Sequence, residues 1–214
     1  MIIALEGIDG AGKTTTAALA AEKLTALGYS VVSTSKRDTA VREPFAREQL
    51  QALAERLWGV PHDSRLNAVG SLHWVFLNAS YFAATHHALS EELGTKQIAV
   101  MDNWINKLVA RMASNGEFEL DELLRMLAPL PQPDLVVMLD VPPSVAASRR
   151  EFSDAERGLL TSADNTFETF QSTVRSNLLR MADHYKWDLL VPGDSTPDEV
   201  ALDVVRLVRD RLPA

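Results

Sequence analysis

An eight-residue segment near the start, Gly7-Ile8-Asp9-Gly10-Ala11-Gly12-Lys13-Thr14, limits the chain's choice of fold more than any other feature. It fits the pattern G-x-x-x-x-G-K-[ST], a loop whose glycines let successive backbone N–H groups turn inward around a phosphate. Such a loop belongs between a buried strand and a helix, whose N-terminus adds partial positive charge behind the phosphate. Both flanks are present. Ile2–Leu5 is an apolar, β-branched run, and Lys13–Leu27 has helical spacing closed by Gly28.

The same alternation continues along the chain. Short apolar runs at Ser30–Thr34, Ile98–Met101, Leu135–Leu139 and Trp187–Val191 read as strands buried on both faces of a parallel sheet. Between them, Pro44–Trp58 and Ser64–Leu93 have helical spacing, the second as one long helix. Thr196-Pro197-Asp198-Glu199 is a capping box that opens a last helix running to about Leu212. Strand, helix, strand, helix implies a doubly wound α/β fold, a five-stranded parallel sheet flanked by helices, in one domain over residues 1–214.

Composition removes whole classes of function. The net charge is −8, so a basic footprint for a nucleic acid polymer or an anionic membrane is absent. With no cysteine there is no disulfide framework, thiolate zinc site or cysteine nucleophile. The five histidines form no metal-ligand pattern. No apolar run has the length of a membrane span, and Met1–Leu5 meets Glu6 too early for a signal-peptide core. The expectation is a soluble, cytoplasmic protein.

The loop predicts binding of ATP through Gly7, Asp9, Gly10, Ala11, Gly12, Lys13, Thr14 and Thr15. Lys13 would reach the β- and γ-phosphates, and the Thr14 hydroxyl would ligate Mg²⁺. Asp102 and Asp140 stand at the C-terminal ends of expected strands, where ligands bind in this architecture. Asp102 suits the organisation of Mg²⁺ through water, while Asp140 reads equally as a site residue or a brace for the Val141-Pro142-Pro143 turn. Arg149, Arg150 and Arg157 bracket the polar stretch Glu151–Gly158, the form of a mobile lid over residues 151–162 that carries cations to a transferring phosphoryl group. With Phe152 as its one apolar anchor, that lid should be poorly held without ligands. Arg37, just past the second strand, is a candidate acceptor-phosphate ligand. Trp74, Phe76, Tyr81 and Phe82 are mostly core, with some left for a base pocket or a dimer face.

Leu5-Glu6-Gly7-Ile8-Asp9-Gly10-Ala11-Gly12-Lys13-Thr14-Thr15-Thr16 closely resembles the start of thymidylate kinases, members of the nucleoside monophosphate kinase group. In that family the aspartate at the position of Asp9 holds the acceptor's sugar 3′-hydroxyl. Gly94–Asp102 resembles the third strand, ending in the aspartate of an Asp-Arg-Tyr motif, and Pro133–Pro143 the fourth. Val145–Arg149 is similar to the helix before the lid, with Arg149 on the family's arginine, and Phe170–Ala182 to the long helix after it. The resemblance implies a P-loop kinase using ATP and Mg²⁺, and a homodimer.

The chain departs from the family on the acceptor side. Asn103 and Trp104 follow Asp102, where the family has arginine and an aromatic that meet the acceptor. Ser35–Ala40 lacks the family's Arg-Glu-Pro-Gly-Gly-Thr, and Ala79-Ser80 stands where the family has an Asp-Arg pair. Losing an arginine at a bidentate phosphate contact is not conservative. The expected activity is transfer of the γ-phosphoryl group of ATP to a nucleoside monophosphate, thymidylate or a related nucleotide, with thymidylate used weakly. The rivals are a kinase of nucleosides or other small phosphorylated metabolites, with Asp102 or Glu6 as base, and a degenerate kinase serving as a nucleotide-binding module.

Overall fold

Five strands, β1 (Ile2–Glu6), β2 (Ser30–Thr34), β3 (Gln97–Met101), β4 (Leu135–Leu139) and β5 (Asp188–Leu190), pair in parallel in the order β2-β3-β1-β4-β5. The computed structural model describes residues 1–34, 40–60, 64–94, 97–158, 162 and 165–212. Every residue of β1 and β4 is buried, which explains their unbroken apolar runs. Ile3 lies opposite Val100 on one side and Leu135 on the other. That register brings the C-terminal ends of β3, β1 and β4 side by side. The chain winds outward from β1 in both directions, so the crevice beyond these three ends is where a ligand fits.

The helices are α1 (Lys13–Ala26), α2 (Pro44–Trp58), α3 (Ser71–Glu92), α4 (Asn106–Ser114), α5 (Leu120–Met126), α6 (Pro143–Ala147), α7 (Phe167–Tyr185) and α8 (Pro197–Arg211). α1 lies against α8, α2 against α3 and α4 against α7. The capping box on α8 is formed: the Thr196 backbone N–H donates to the Glu199 carboxylate, and the Glu199 N–H to the Thr196 hydroxyl. None of these helices is long and apolar enough to cross a membrane.

Two sequence expectations need correction here. Ser64–Leu93 is not one helix. Gly70, at φ 75°, ends a 3-10 turn over Ser64–Val69 and starts α3 afresh. The segment between Asp102 and Pro129 also folds into α4 and α5, two short helices that the strand-and-helix pattern did not announce. Those helices carry part of the site.

Candidate active site

Gly12 caps α1 from the left-handed region, at φ 96°, and contributes no side chain to the cap. The first turn of α1 therefore faces the crevice with its N–H groups uncovered by a capping oxygen. Gly10 is also left-handed, at φ 78°. A Cβ there would lie 2.9 Å from the Phe152 ring and 3.2 Å from the Ala146 carbonyl oxygen. Glycine is the residue that satisfies both the dihedral and the space.

Lys13 folds back over this loop and is buried, its ammonium donating to the carbonyl oxygens of Gly7 at 2.9 Å and Ile8 at 2.8 Å. Thr14 Oγ1 donates to Asp102 Oδ2 at 2.7 Å. Ala11 is buried beneath the loop, whereas Thr15 is exposed at the cleft. Lys13, Thr14, Asp102, Asn103 and Arg149 line one cleft of about 340 Å³. Arg149 Nη1 donates to the Gly10 carbonyl at 2.8 Å, which holds the guanidinium over the loop.

Asp102 and Asn103 also line a second, much smaller cavity of about 20 Å³, walled by Trp58, Tyr81 and Phe82. Trp58 and Tyr81 meet edge to face with ring centroids 4.8 Å apart. The phosphate cleft and the aromatic cavity thus share a wall.

The other expected residues fare differently. Arg150 lines the cleft but is engaged, paired with Glu156 at 2.6 Å and lying over the Phe152 ring at 4.2 Å. Arg157 is exposed, and its guanidinium has no hydrogen-bond partner among the described residues. Arg37 lies outside the described residues. Asp140 accepts two hydrogen bonds from Arg175, at 2.6 and 2.8 Å, and acts as a brace between β4 and α7.

Trp104, expected against the acceptor, is instead fully buried in the core beside Phe82 and His86. Its backbone N–H donates to Glu6 Oε1, which turns the side chain inward. Trp104→Ala should therefore cost about 3–5 kcal/mol of folding stability, read from chemical denaturation. A loss under 1 kcal/mol would place the ring outside the core.

Glu6 is wholly buried behind the loop, and its Oε2 has no hydrogen-bond partner among the described residues, nor does the buried Nδ2 of Asn106. Burial pushes the Glu6 carboxyl up to about 8, against the pull of Lys13 and the Trp104 N–H. Lys13 is pushed down, first by burial and then by the charge of Lys107. A carboxyl with a raised folded-state pKa keeps its proton in the native protein while the unfolded chain has lost it. Stability contributed by that proton is full below the ordinary value near 4.5 and falls as pH rises toward 8. Glu6→Gln should flatten that decline, by up to about 1.4 kcal/mol per pH unit, in melts of the ligand-free protein between pH 5 and 8. An unchanged slope would show that Glu6 ionises normally.

The residues that sequence reasoning missed surround Asp9. Lys107 pairs with Asp9 Oδ1, while Arg111 Nη1 and Gln171 Nε2 donate to Oδ2 at 2.9 and 3.1 Å. Burial raises the Asp9 carboxyl, but Lys107, Arg111 and Lys13 together outweigh it and hold the group well below the usual carboxylate range. The same side chains grip the stretch after α6. Arg111 donates to the Ala155 carbonyl at 2.6 Å and Gln171 to the Glu156 carbonyl at 2.8 Å. Phe152 stacks on Phe167 with centroids 3.8 Å apart. Glu151–Gly158 is thus tied down, contrary to the loose segment expected, because its partners Arg111, Phe167 and Gln171 come from α4 and α7, and within the segment only Phe152 signals them. The signal available in the sequence was Lys107 and Arg111, a basic i, i+4 pair on a short amphipathic helix.

The family model for thymidylate kinase matches residues 5–201. A probable thymidylate kinase of Thermococcus onnurineus is 30% identical over 213 residues, covering 99% of this chain and 98% of that protein. One from Pyrococcus horikoshii is 31% identical, covering 98% of this chain and 96% of its own length. A thymidylate kinase of Xanthomonas euvesicatoria pv. vesicatoria is 30% identical over 99% of this chain and 86% of that protein.

Proposed function

The chain belongs to the thymidylate kinase family, and from that premise we propose that it transfers the γ-phosphoryl group of ATP to a nucleoside monophosphate, with thymidylate as the first acceptor to test. The observation that carries this reading is the wall shared by the two cavities. The aromatic cavity has room for about one water as it stands, so a nucleobase seated against Trp58, Tyr81 and Phe82 would widen it, and its phosphate would then point past Asp102 and Asn103 toward the loop that holds ATP.

In this reading the loop N–H groups and Lys13 hold the β- and γ-phosphates. An oxygen of the acceptor phosphate attacks the γ-phosphorus, and the bond from phosphorus to the β,γ-bridging oxygen breaks. ADP leaves with that electron pair. The acceptor phosphate is already anionic, so no side chain has to remove a proton. Glu6 suits the role of base poorly, since it is buried and its carboxyl is pushed toward the protonated form. Arg149 reduces the repulsion between the two phosphates as they approach.

Thr14 and Asp102 offer a hydroxyl and a carboxylate oxygen side by side, a donor set that fits Mg²⁺ bound mainly by phosphates and water. When bound, the ion neutralises charge on the β- and γ-phosphates. Glu151–Gly158, with Arg149 and Arg150 at its root, would cover both nucleotides from the place where Arg111, Gln171 and Phe167 hold it.

We place the enzyme in the cytoplasm as a homodimer. The face of α3 that carries Leu72 and Phe76 is apolar and exposed, Phe76 to 52%, and supports the dimer. Phe76→Glu should shift the mass in light scattering from two chains to one; an unaltered mass would move the interface elsewhere. A coupled assay for ADP formation, run over nucleoside monophosphates and nucleosides, tests the activity. Acceptor-dependent ADP release with thymidylate is expected. Release with none of the monophosphates would refute the reading.

A further inference from the structure

Position 103 in the cleft wall offers no positive charge to an acceptor phosphate, since Asn103 is neutral and its neighbour Asp102 is a carboxylate. Four residues on, Lys107 reaches the same cleft from the first turn of α4. Lys13 and Lys107 both line this cleft and, after burial, the charge of Lys107 helps to push Lys13 toward its neutral form.

Lys107 and Arg111 both pair with Asp9, yet they differ in what they have left to give. Arg111 spends Nη1 on Asp9 and Nη2 on the Ala155 carbonyl, and its guanidinium lies over the Phe170 ring at 5.2 Å. It does not line the cleft. Among the described residues Lys107 makes one hydrogen bond, to Asp9, and an ammonium group has three N–H donors. Two therefore remain on a side chain that lines the cleft. Asp9 fixes where they are, because its own position is set by Arg111 and Gln171 as well.

Resting on the kinase reading above, we infer that Lys107 binds the phosphate of the acceptor nucleotide, supplying from α4 the positive charge that position 103 lacks. Asp9 and Arg111 are positioning residues for it. The arrangement gives a directional point charge in place of a planar fork, so it selects for the presence of a phosphate more than for its orientation.

The test separates phosphate recognition from everything else by comparing thymidylate with thymidine. Calorimetry gives the affinity of each for the wild type and for Lys107→Met and Lys107→Arg, with ATP affinity measured beside them. Removal of Lys107 leaves Asp9 with Arg111 and Gln171, so the fold is expected to persist, and circular dichroism checks it. Lys107→Met should weaken thymidylate by about 10- to 100-fold, the worth of a charge-assisted hydrogen bond. Thymidine and ATP should change less than threefold, and Lys107→Arg should recover most of the loss. Equal weakening of thymidylate and thymidine would overturn the inference, because it would assign Lys107 to the sugar or to the scaffold alone. So would an unchanged affinity for thymidylate. Because these are binding measurements, a wild type that binds thymidylate through Lys107 yet releases no ADP would refute the kinase reading and leave this inference standing.

Discussion

Lys13→Ala is expected to lower turnover by about 10³-fold or more while the fold persists. The ammonium already sits at the mouth of the loop, bonded to the Gly7 and Ile8 carbonyls, within the curve that a triphosphate would follow. Removing one preorganised donor from a developing charge costs about 10²- to 10³-fold in well-studied sites. Lys13 would serve both the leaving β-phosphate and the moving γ-phosphoryl, so its loss should lie at the upper end or beyond. Burial presses Lys13 toward its neutral form, and a polyanion beside it favours the proton again. Alanine leaves the Gly7 carbonyl without its donor, while the Ile8 carbonyl keeps the Ala11 N–H, a cost of about 1–3 kcal/mol that a domain of this size tolerates. The check is ADP release at saturating ATP beside a far-ultraviolet spectrum. Turnover within tenfold of the wild type, with an unaltered spectrum, would remove Lys13 from the chemistry.

The second large effect is expected at Arg149. Its guanidinium is exposed, so alanine there should leave stability within about 0.5 kcal/mol. Its hydrogen bond to the Gly10 carbonyl keeps it above the phosphate loop. The charge it screens is largest when the two phosphates are closest, so the contact strengthens toward the transition state. Arg149→Ala should lower kcat by about 10²- to 10³-fold and weaken ATP binding less than fivefold. Rapid-quench kinetics with separate ATP titrations distinguish the two. A mutant altered only in ATP affinity would make Arg149 an ordinary ground-state ligand.

What the sequence made legible was local. The phosphate loop, its strand and its helix are contiguous, and their periodicity is written in adjacent residues. Asp102 was found because the end of a buried strand can be located from the strand alone. The cage around Asp9 was not visible in the same way, since Lys107 and Arg111 lie 98 and 102 residues away along the chain. Only the placement of α4 against α7 brings them to the loop. Trp104 was misassigned for a related reason. One residue separates it from Asp102, and the turn after β3 decides which of the two faces the cleft. The hydrogen bond from its backbone to Glu6 settles that turn, and no pattern within residues 101–105 contains it.

The close approach of Gly10 to the Phe152 ring has a consequence for anyone who would exchange parts of this molecule. Any β-carbon at position 10 would intrude on a side chain 142 positions downstream, one that is itself stacked on Phe167. A loop transplanted from a protein with a larger residue at that point has to bring its own partner for position 152. A substitution at position 10 meets the left-handed dihedral and Ala146 as well as Phe152, so exchanging the pair together relieves only part of the misfit. The two positions are therefore sterically coupled, and a library that varies the loop without α6 and the stretch after it samples mainly misfits.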